Sequence, residues 1–183
     1  EACNTQLPTA EIRAIYHSSL HANLRVIDKE NGGKADSLNA GINLSLYPLF
    51  CCIDADSILQ PDSLRRAIQP FLDDHRTVAS GGTVRIANGC RVENGFLTKI
   101  GLPANPLALF QIVEYLRAFL FGRLGWSPMN AMLIISGAFG IFRKEAVVTV
   151  GGYRSDTIGE DMELVVRLHR HLRLCNKPYR SMF

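Results

Sequence analysis

Cysteine is scarce and badly spaced for what it usually signals: the 183 residues hold five, Cys3, Cys51, Cys52, Cys90 and Cys175, with no CxxC pair among them. That argues against a zinc framework or an even-numbered disulfide scaffold and predicts reduced core cysteines in a cytosolic compartment. Charge of one sign is lacking too. Twenty Lys plus Arg against 17 Asp plus Glu leave a net charge of +3, too small and too evenly spread to argue for nucleic acid as a partner. The start, EACNTQLPTAE, lacks the basic-then-apolar order of a signal peptide, and no internal repeat or low-complexity segment is visible. Residues 124–142, LGWSPMNAMLIISGAFGIF, carry no charge and match a membrane span in length, but Pro128, Asn130, Ser136 and several glycines interrupt them. They are expected to form a buried loop and strand.

What is there is an ordinary globular composition, 47% hydrophobic and 20% charged, in a length that suits one domain. Residues 23–28, NLRVID, alternate like a strand, and the glycine turn ENGGK can open a helix in which Leu38 and Ile42 share a face. YPLFCCI reads as a fully buried strand; after DADSILQ, Pro61 suits a helix first turn, with Leu64 and Ile68 on one face. GGTVRIANG, residues 81–89, reads as a further strand, and residues 106–126 as a helix apolar over more than one face, either buried or lying on a second surface. AMLIISGAFGIFRKEAV then predicts a strand broken at Gly137. EDMELVVRLHRHLR predicts an amphipathic helix burying Met162, Val165, Val166 and Leu172. Alternating strands and helices predict an α/β fold with a mostly parallel sheet.

Three short stretches could carry chemistry. In open α/β sheets ligands sit beyond the carboxyl ends of strands, which is where Asp54 and Asp56 fall if CCI ends a strand. Two such carboxylates can share a divalent cation with the phosphates of a substrate, although aspartates are also ordinary turn residues. NGGKADSLN offers Gly32 and Gly33 for close backbone approach and Lys34 as a charge at a helix start, in the manner of a phosphate cradle; a tight turn with a solvated lysine is the alternative, and Asn39 reads as exposed. Glu160 and Asp161 stand where acidic side chains suit a helix dipole, which for one acidic pair is the better reading; Asp161 could instead be a general base if the fold brings it within hydrogen-bond reach of a substrate hydroxyl. Gly137 and Gly140 in the apolar strand mark close approach by a ligand or another backbone, and Asp62 reads as a helix-start residue.

Taken in order, NGGKADSLNAGIN, FCCIDADSILQPDSL, ISGAFGIFRKEAV, GGY and IGEDMELVVRL resemble the family 2 glycosyltransferases. The branch most similar is that of the membrane-associated β-glycan synthases, which make hyaluronan, chitin, cellulose and poly-N-acetylglucosamine. The resemblance runs over roughly residues 23–172 and implies the GT-A nucleotide-binding α/β fold, with residues 23–100 as the nucleotide-sugar and metal half and 101–175 as the acceptor half. It implies that Lys34 lies near the nucleotide diphosphate, and that Asp54 and Asp56 contact the nucleotide-sugar and a Mg²⁺ or Mn²⁺ ion, Asp56 the more directly. It further implies that Asp161 is the base for the acceptor hydroxyl with Glu160 as its neighbour, and that Ser136 and Gly137 line the acceptor side. The implied partners are a UDP-sugar and a glycan acceptor, at the cytoplasmic face of a membrane reached through flanking segments. The family's opening VSVIIPAYNE-type strand and its DDGS-like motif are not found before Asn23, and no QxxRW follows the GED helix. The expectation is an internal piece of a longer enzyme, incomplete on its N-terminal side; the competing readings are binding of a nucleotide-sugar without catalysis, and docking on a membrane surface or a partner through the segment from Phe110 to Trp126, where Arg117 and Arg123 stand beside several aromatics.

Overall fold

The computed structural model describes residues 6–182, so Cys3 lies outside the described residues. Two antiparallel strands, β1 (Ile12–His17) and β2 (Arg25–Lys29), precede α1 (Gly33–Leu44), β3 (Leu49–Ile53), α2 (Ser63–Asp73) and β4 (Thr77–Gly81). A hairpin of β5 (Arg91–Glu93) and β6 (Phe96–Lys99) leads to α3 (Pro106–Leu116), which continues as a π-helical segment (Arg117–Arg123) and a short α4 (Leu124–Trp126). β7 (Phe139–Arg143), α5 (Lys144–Thr149), α6 (Glu160–Leu174) and β8 (Arg180–Met182) follow.

The main sheet has the strand order β3-β7-β4-β8. The α/β layering matches the expectation, but the sheet is mixed: β7 runs antiparallel to both β3 and β4, and only β4 and β8 pair in parallel. β3 and β4 share a direction because α2 returns the chain to the starting edge, as a crossover must. β7 arrives instead from the 106–126 helical segment, whose Ala118 and Phe119 line one cavity with Asp54 and Val84 just past the ends of β3 and β4. It therefore enters at that end and runs back between its neighbours. Hydrophobic periodicity carries no information about strand direction, which is why the sequence missed this.

β7 is covered on both faces, and its alternation divides the core. Phe142 joins the larger cluster with Ile42, Val78, Leu164, Val165 and Leu168, whereas Phe139 and Ile141 pack with Ala67 and Phe71 of α2. Each large side chain so buried stabilises the fold by about 1.5–3 kcal/mol. Other expectations shift. The strand foreseen at 81–89 lies earlier, at β4, because Thr77 and Ser80 are fully buried and the Thr77 hydroxyl donates to the Pro70 carbonyl; residues that read as polar serve as core. The strand foreseen over the 131–147 stretch is confined to β7, and Asp62 is the N-cap position of α2. On α6 the buried stripe is Leu164, Val165, Leu168 and Leu172, while Met162 and Val166 face solvent. The helix of residues 106–126 is not a core helix: Leu107, Phe110, Val113 and Phe121 are exposed. Cys52 is buried, Cys51 and Cys90 are half-buried and Cys175 is exposed, so the core-cysteine expectation fails at Cys175. Burial, aided by the charge of Cys52, pushes the Cys51 thiol up to about 12. Among the described residues no helix is long and apolar enough to cross a membrane.

Asparagine amides hold the irregular segments. Asn39 on α1, expected to be exposed, is 4% exposed. Its Nδ2 donates to the Tyr153 carbonyl at 2.9 Å, and its Oδ1 accepts from the Tyr153 amide at 2.8 Å. Gly152 lies so close that an added Cβ would meet Asn39 Oδ1 at 2.5 Å, and its φ of +72° suits glycine. One turn along α1, Asn43 grips the Leu7 backbone in the same two-bond fashion, at 3.0 and 2.9 Å. Asn130 does so between the Tyr179 carbonyl and the Ser181 amide. Asn39→Ala strips both groups of Tyr153 of their partners, and an unsatisfied buried group costs about 1–3 kcal/mol. Urea denaturation is expected to show a loss of about 2 kcal/mol or more.

A buried histidine ties α6 to the strand that ends the described chain. His169 Nε2 donates to the Met132 carbonyl at 2.6 Å, which leaves Nδ1 to accept from the Tyr179 hydroxyl at 2.5 Å. Burial lowers the His169 pKa below its usual value of 6.5. A depressed histidine pKa gives stability that is complete above the unfolded value and is lost as pH falls through the folded one. Folding stability is therefore expected to drop on acidification from pH ~7.5 to ~5, and to drop less in His169→Gln, in denaturant titrations at the two pH values.

Candidate functional site

The irregular ends of three elements meet beyond the carboxyl end of β3. The β3–β7 ladder extends one step past Ile53, where the Asp54 amide donates to the Ala138 carbonyl, and the chain then turns with Ser57 N–H on the Asp54 carbonyl. That fixes Asp54 beside the SGA loop of residues 136–138. α1 supplies Lys34 from its first turn, and α6 supplies Glu160 and Asp161 from its own, where negative charge suits the helix N-terminus.

These side chains converge. Lys34 Nζ lies 2.6 Å from Asp54 Oδ1 and 3.7 Å from Glu160 Oε1. Asp161 Oδ2 accepts the Gly137 amide at 2.9 Å, and its Oδ1 accepts the Met162 amide at 2.9 Å, so both oxygens are oriented by backbone. Gly137 is a point of close approach: a Cβ there would meet Lys34 Nζ at 3.0 Å and Asp161 Oδ2 at 3.4 Å. Burial works against the Lys34 charge, but the hydrogen bond and charge of Asp54, with Glu160 and Asp161, outweigh it and hold the pKa above the ordinary value. Lys34, Asp54, Ser136, Gly137 and Asp161 line one cavity of about 390 Å³, in the size range of small-molecule sites.

Of the seven residues singled out in the sequence, Lys34, Asp54, Ser136, Gly137 and Asp161 line this cavity, and Glu160 joins through Lys34. Asp56 stands apart, exposed at the turn after Asp54. The glycine pair serves the fold more than a phosphate cradle: Gly32 makes room for the Asp36 side chain, which pairs with Lys29. Among the described residues there is no group of three or more His, Cys, Asp and Glu able to hold a cation unaided. Hard carboxylate oxygens at Asp54 and Asp56 do fit a Mg²⁺ or Mn²⁺ ion that completes its shell with diphosphate oxygens and water. The sequence reading missed Arg123, Phe119, Tyr115 and Val84, which complete the cavity wall. An arginine inside the apolar run FLFGRLGW was the available signal.

The profile of glycosyl transferase family 2 matches residues 6–149. The chain belongs to that family. A poly-beta-1,6-N-acetyl-D-glucosamine synthase of Staphylococcus aureus (strain COL) is 35% identical over 174 residues, covering 93% of this chain and 38% of the relative. The synthase of that name from Staphylococcus epidermidis is 32% identical over 162 residues, covering 88% of this chain and 35% of its own. The chain thus spans little more than a third of the length of these curated relatives. A mannosyltransferase of Pyrobaculum calidifontis, solved in complex with GDP-Man and Mn²⁺, superposes with a TM-score of 0.52 at 19% identity over 84% of this chain and 34% of that one. The family match and that likeness establish the GT-A fold expected from the sequence.

Lys34 gives the site a pH signature. A lysine pKa raised on folding contributes stability that is complete below the ordinary value of 10.5 and disappears as pH rises through the folded value. Lys34→Met is expected to be less stable than the native chain at neutral pH, with the gap narrowing above pH ~11, as read by thermal unfolding in a pH series.

Proposed function

We propose that this chain carries the reaction centre of an inverting glycosyltransferase, which moves a sugar from a UDP-sugar to a glycan hydroxyl. The observation that carries the reading is the single cavity in which Asp161, oriented through both oxygens, faces the Lys34–Asp54 ion pair. Asp161 takes the proton of the acceptor hydroxyl as its oxygen attacks the anomeric carbon opposite the leaving group. One such displacement inverts that carbon, so an α-linked donor yields a β-glycoside. Lys34 places positive charge near the departing diphosphate, and its ion pairs hold Asp54 and Glu160 together beside it. Asp56, with Asp54, would hold a divalent ion, which when bound neutralises charge developing on the diphosphate. Ser136 and Gly137 form the wall on the acceptor side.

N-acetylglucosamine is the proposed sugar, because both staphylococcal relatives are named for a polymer of it. The proposed setting is the cytoplasmic face of a membrane. The exposed apolar side chains Leu107, Phe110, Val113 and Phe121 support contact of that face with an apolar surface. Residues 23–100 are proposed as the donor half and 101–175 as the acceptor half, in keeping with Lys34 and Asp54 falling in the first and Ser136, Gly137 and Asp161 in the second.

Removal of a general base costs on the order of 10²–10⁴ in rate. Asp161→Asn in the complete enzyme is expected to lower kcat by at least about 100-fold with donor affinity unchanged. Retained turnover would overturn the base assignment, and calorimetry with UDP, with and without Mn²⁺, tests the donor half separately.

A further inference from the structure

Residues 118–134 and the last two turns of α6 enclose a second cavity, of about 560 Å³, which the reaction leaves unused. It shares Ala118 and Arg123 with the cavity of Asp161, and Arg123 is held against the Phe119 ring, so the remaining walls decide what it takes. Those walls are mostly apolar: Gly122, Trp126, Ala131, Met132, Leu133 and Ile134. Two polar side chains among them are already engaged. Asn130 pairs with the Tyr179 carbonyl and the Ser181 amide, and His169 with the Met132 carbonyl and the Tyr179 hydroxyl. A sugar chain or a nucleotide carries polar groups along its whole length, and burying them against such walls without partners is costly. Trp126 and Leu133 are more than half exposed as well as lining the cavity, so its apolar wall runs out onto the surface.

The α6 end of the cavity is cationic. Arg173 lines it and spends one of its five donors, Nε–H, on the Tyr179 hydroxyl. Arg170 stands three residues earlier on the same face of α6, and Lys177 follows the last turn with its amide on the Leu172 carbonyl. Arg167 pairs with Glu163 and Arg180 with Asp74, whereas Arg170, Arg173 and Lys177 are exposed and have no carboxylate partner among the described residues. No Asp or Glu occurs in residues 115–144 or 164–183, the two stretches that build the cavity. A one-signed cluster beside an apolar space favours an anion that brings an apolar body with it.

We infer that this cavity binds an anionic phospholipid, one acyl chain lying along Trp126, Met132 and Leu133 and the phosphate held by Arg173 with Arg170 and Lys177. A free phosphate would make no use of the apolar walls, and a neutral lipid no use of the cations. The inference rests on the membrane setting proposed above, since a cytoplasmic leaflet is the source of such lipids. It differs from contact of exposed side chains with a surface, because a cavity takes a single molecule and needs no bilayer.

Trp126 is the one tryptophan of the chain and reports on the wall. Dihexanoyl phosphatidylglycerol, below its micelle concentration, is expected to shift Trp126 emission to the blue saturably and to titrate as a single site by calorimetry. Dihexanoyl phosphatidylcholine and glycerol 3-phosphate are expected to bind about fivefold or more weakly. Leu133→Glu puts a carboxylate at an exposed wall position and is expected to abolish the shift. Arg173→Ala is expected to raise the half-saturating concentration about fivefold or more, and Arg173→Lys, which keeps the charge, to stay near native. Equal binding of the phosphatidylcholine, a response confined to concentrations above the micelle point, or unchanged binding in both Leu133→Glu and Arg173→Ala would overturn the inference. In the complete enzyme, native mass spectrometry is expected to retain one phosphatidylglycerol that Leu133→Glu loses; if none is retained, another segment of polypeptide fills the cavity and the inference falls. Flotation of the complete enzyme with vesicles reads the membrane setting separately: without flotation that setting falls, while the titration with monomeric lipid still decides the cavity.

Discussion

The site depends on a side-chain amide that behaves like a piece of backbone. Lys34 stands on α1 and Asp161 on α6, more than a hundred residues apart, and neither helix is joined to the other by the sheet. Asn39 joins them: it pairs with both polar groups of Tyr153, in the turn that leads into α6. A buried peptide group must be paired, and irregular segments have no ladder to do it. An asparagine offers one donor and one acceptor at the spacing of a peptide unit, so it can close such a segment at a single point. Asn43 fixes residue 7 in the same way and Asn130 fixes the β8 approach, so three loops are held at defined heights without regular structure. Arg167 reinforces the first by donating to the Gly152 carbonyl and pairing with Glu163.

That scaffold makes an otherwise unfavourable charge arrangement tolerable. Three carboxylates crowd around one ammonium, and the cluster is only partly withdrawn from solvent: the Lys34 and Asp54 side chains are 44% and 33% exposed. A fully buried cluster of this kind would neutralise itself by proton uptake. Water at the mouth also means that the ion pair is replaceable. A half-exposed pair is worth little by itself.

Much of this was legible in the sequence. The buried strand LFCCI, the turn at Asp54 and the first turns of α1 and α6 follow from local rules of apolar runs, glycine turns and acidic helix starts. So does the α/β class. What escaped was whatever depends on partners distant in sequence. The direction of β7 is set by where the 106–126 helix delivers the chain, and no residue within Phe139–Arg143 encodes it. β4 lies before the stretch read as a strand, because Thr77 and Ser80 give no apolar signal and their partners lie on other elements. Asn39 read as exposed, although two asparagines four apart in a helix are poor helix formers, and their cost there hints at side chains engaged elsewhere. Of the aspartate pair, Asp54 lines the cavity and Asp56 stands exposed on the turn after it.

The exposure of Asp56 has a physical logic. A carboxylate that sat in the cavity with Asp54, Glu160 and Asp161 would be a fourth negative charge against Lys34, and like charges in one site raise the cost of keeping each ionised. Held outside on a turn, Asp56 keeps its charge in contact with solvent. The π-helical segment shapes another part of the cavity wall. Such bulges replace the regular i, i+4 bonding with a wider turn and cluster at functional sites. Here the seven residues from Arg117 to Arg123 bring Ala118, Phe119 and Arg123 onto one cavity wall, where regular helical spacing would put 118 and 123 on different faces. The irregular turn therefore trades helical bonding for an arginine on the wall of the cavity that Asp161 also lines.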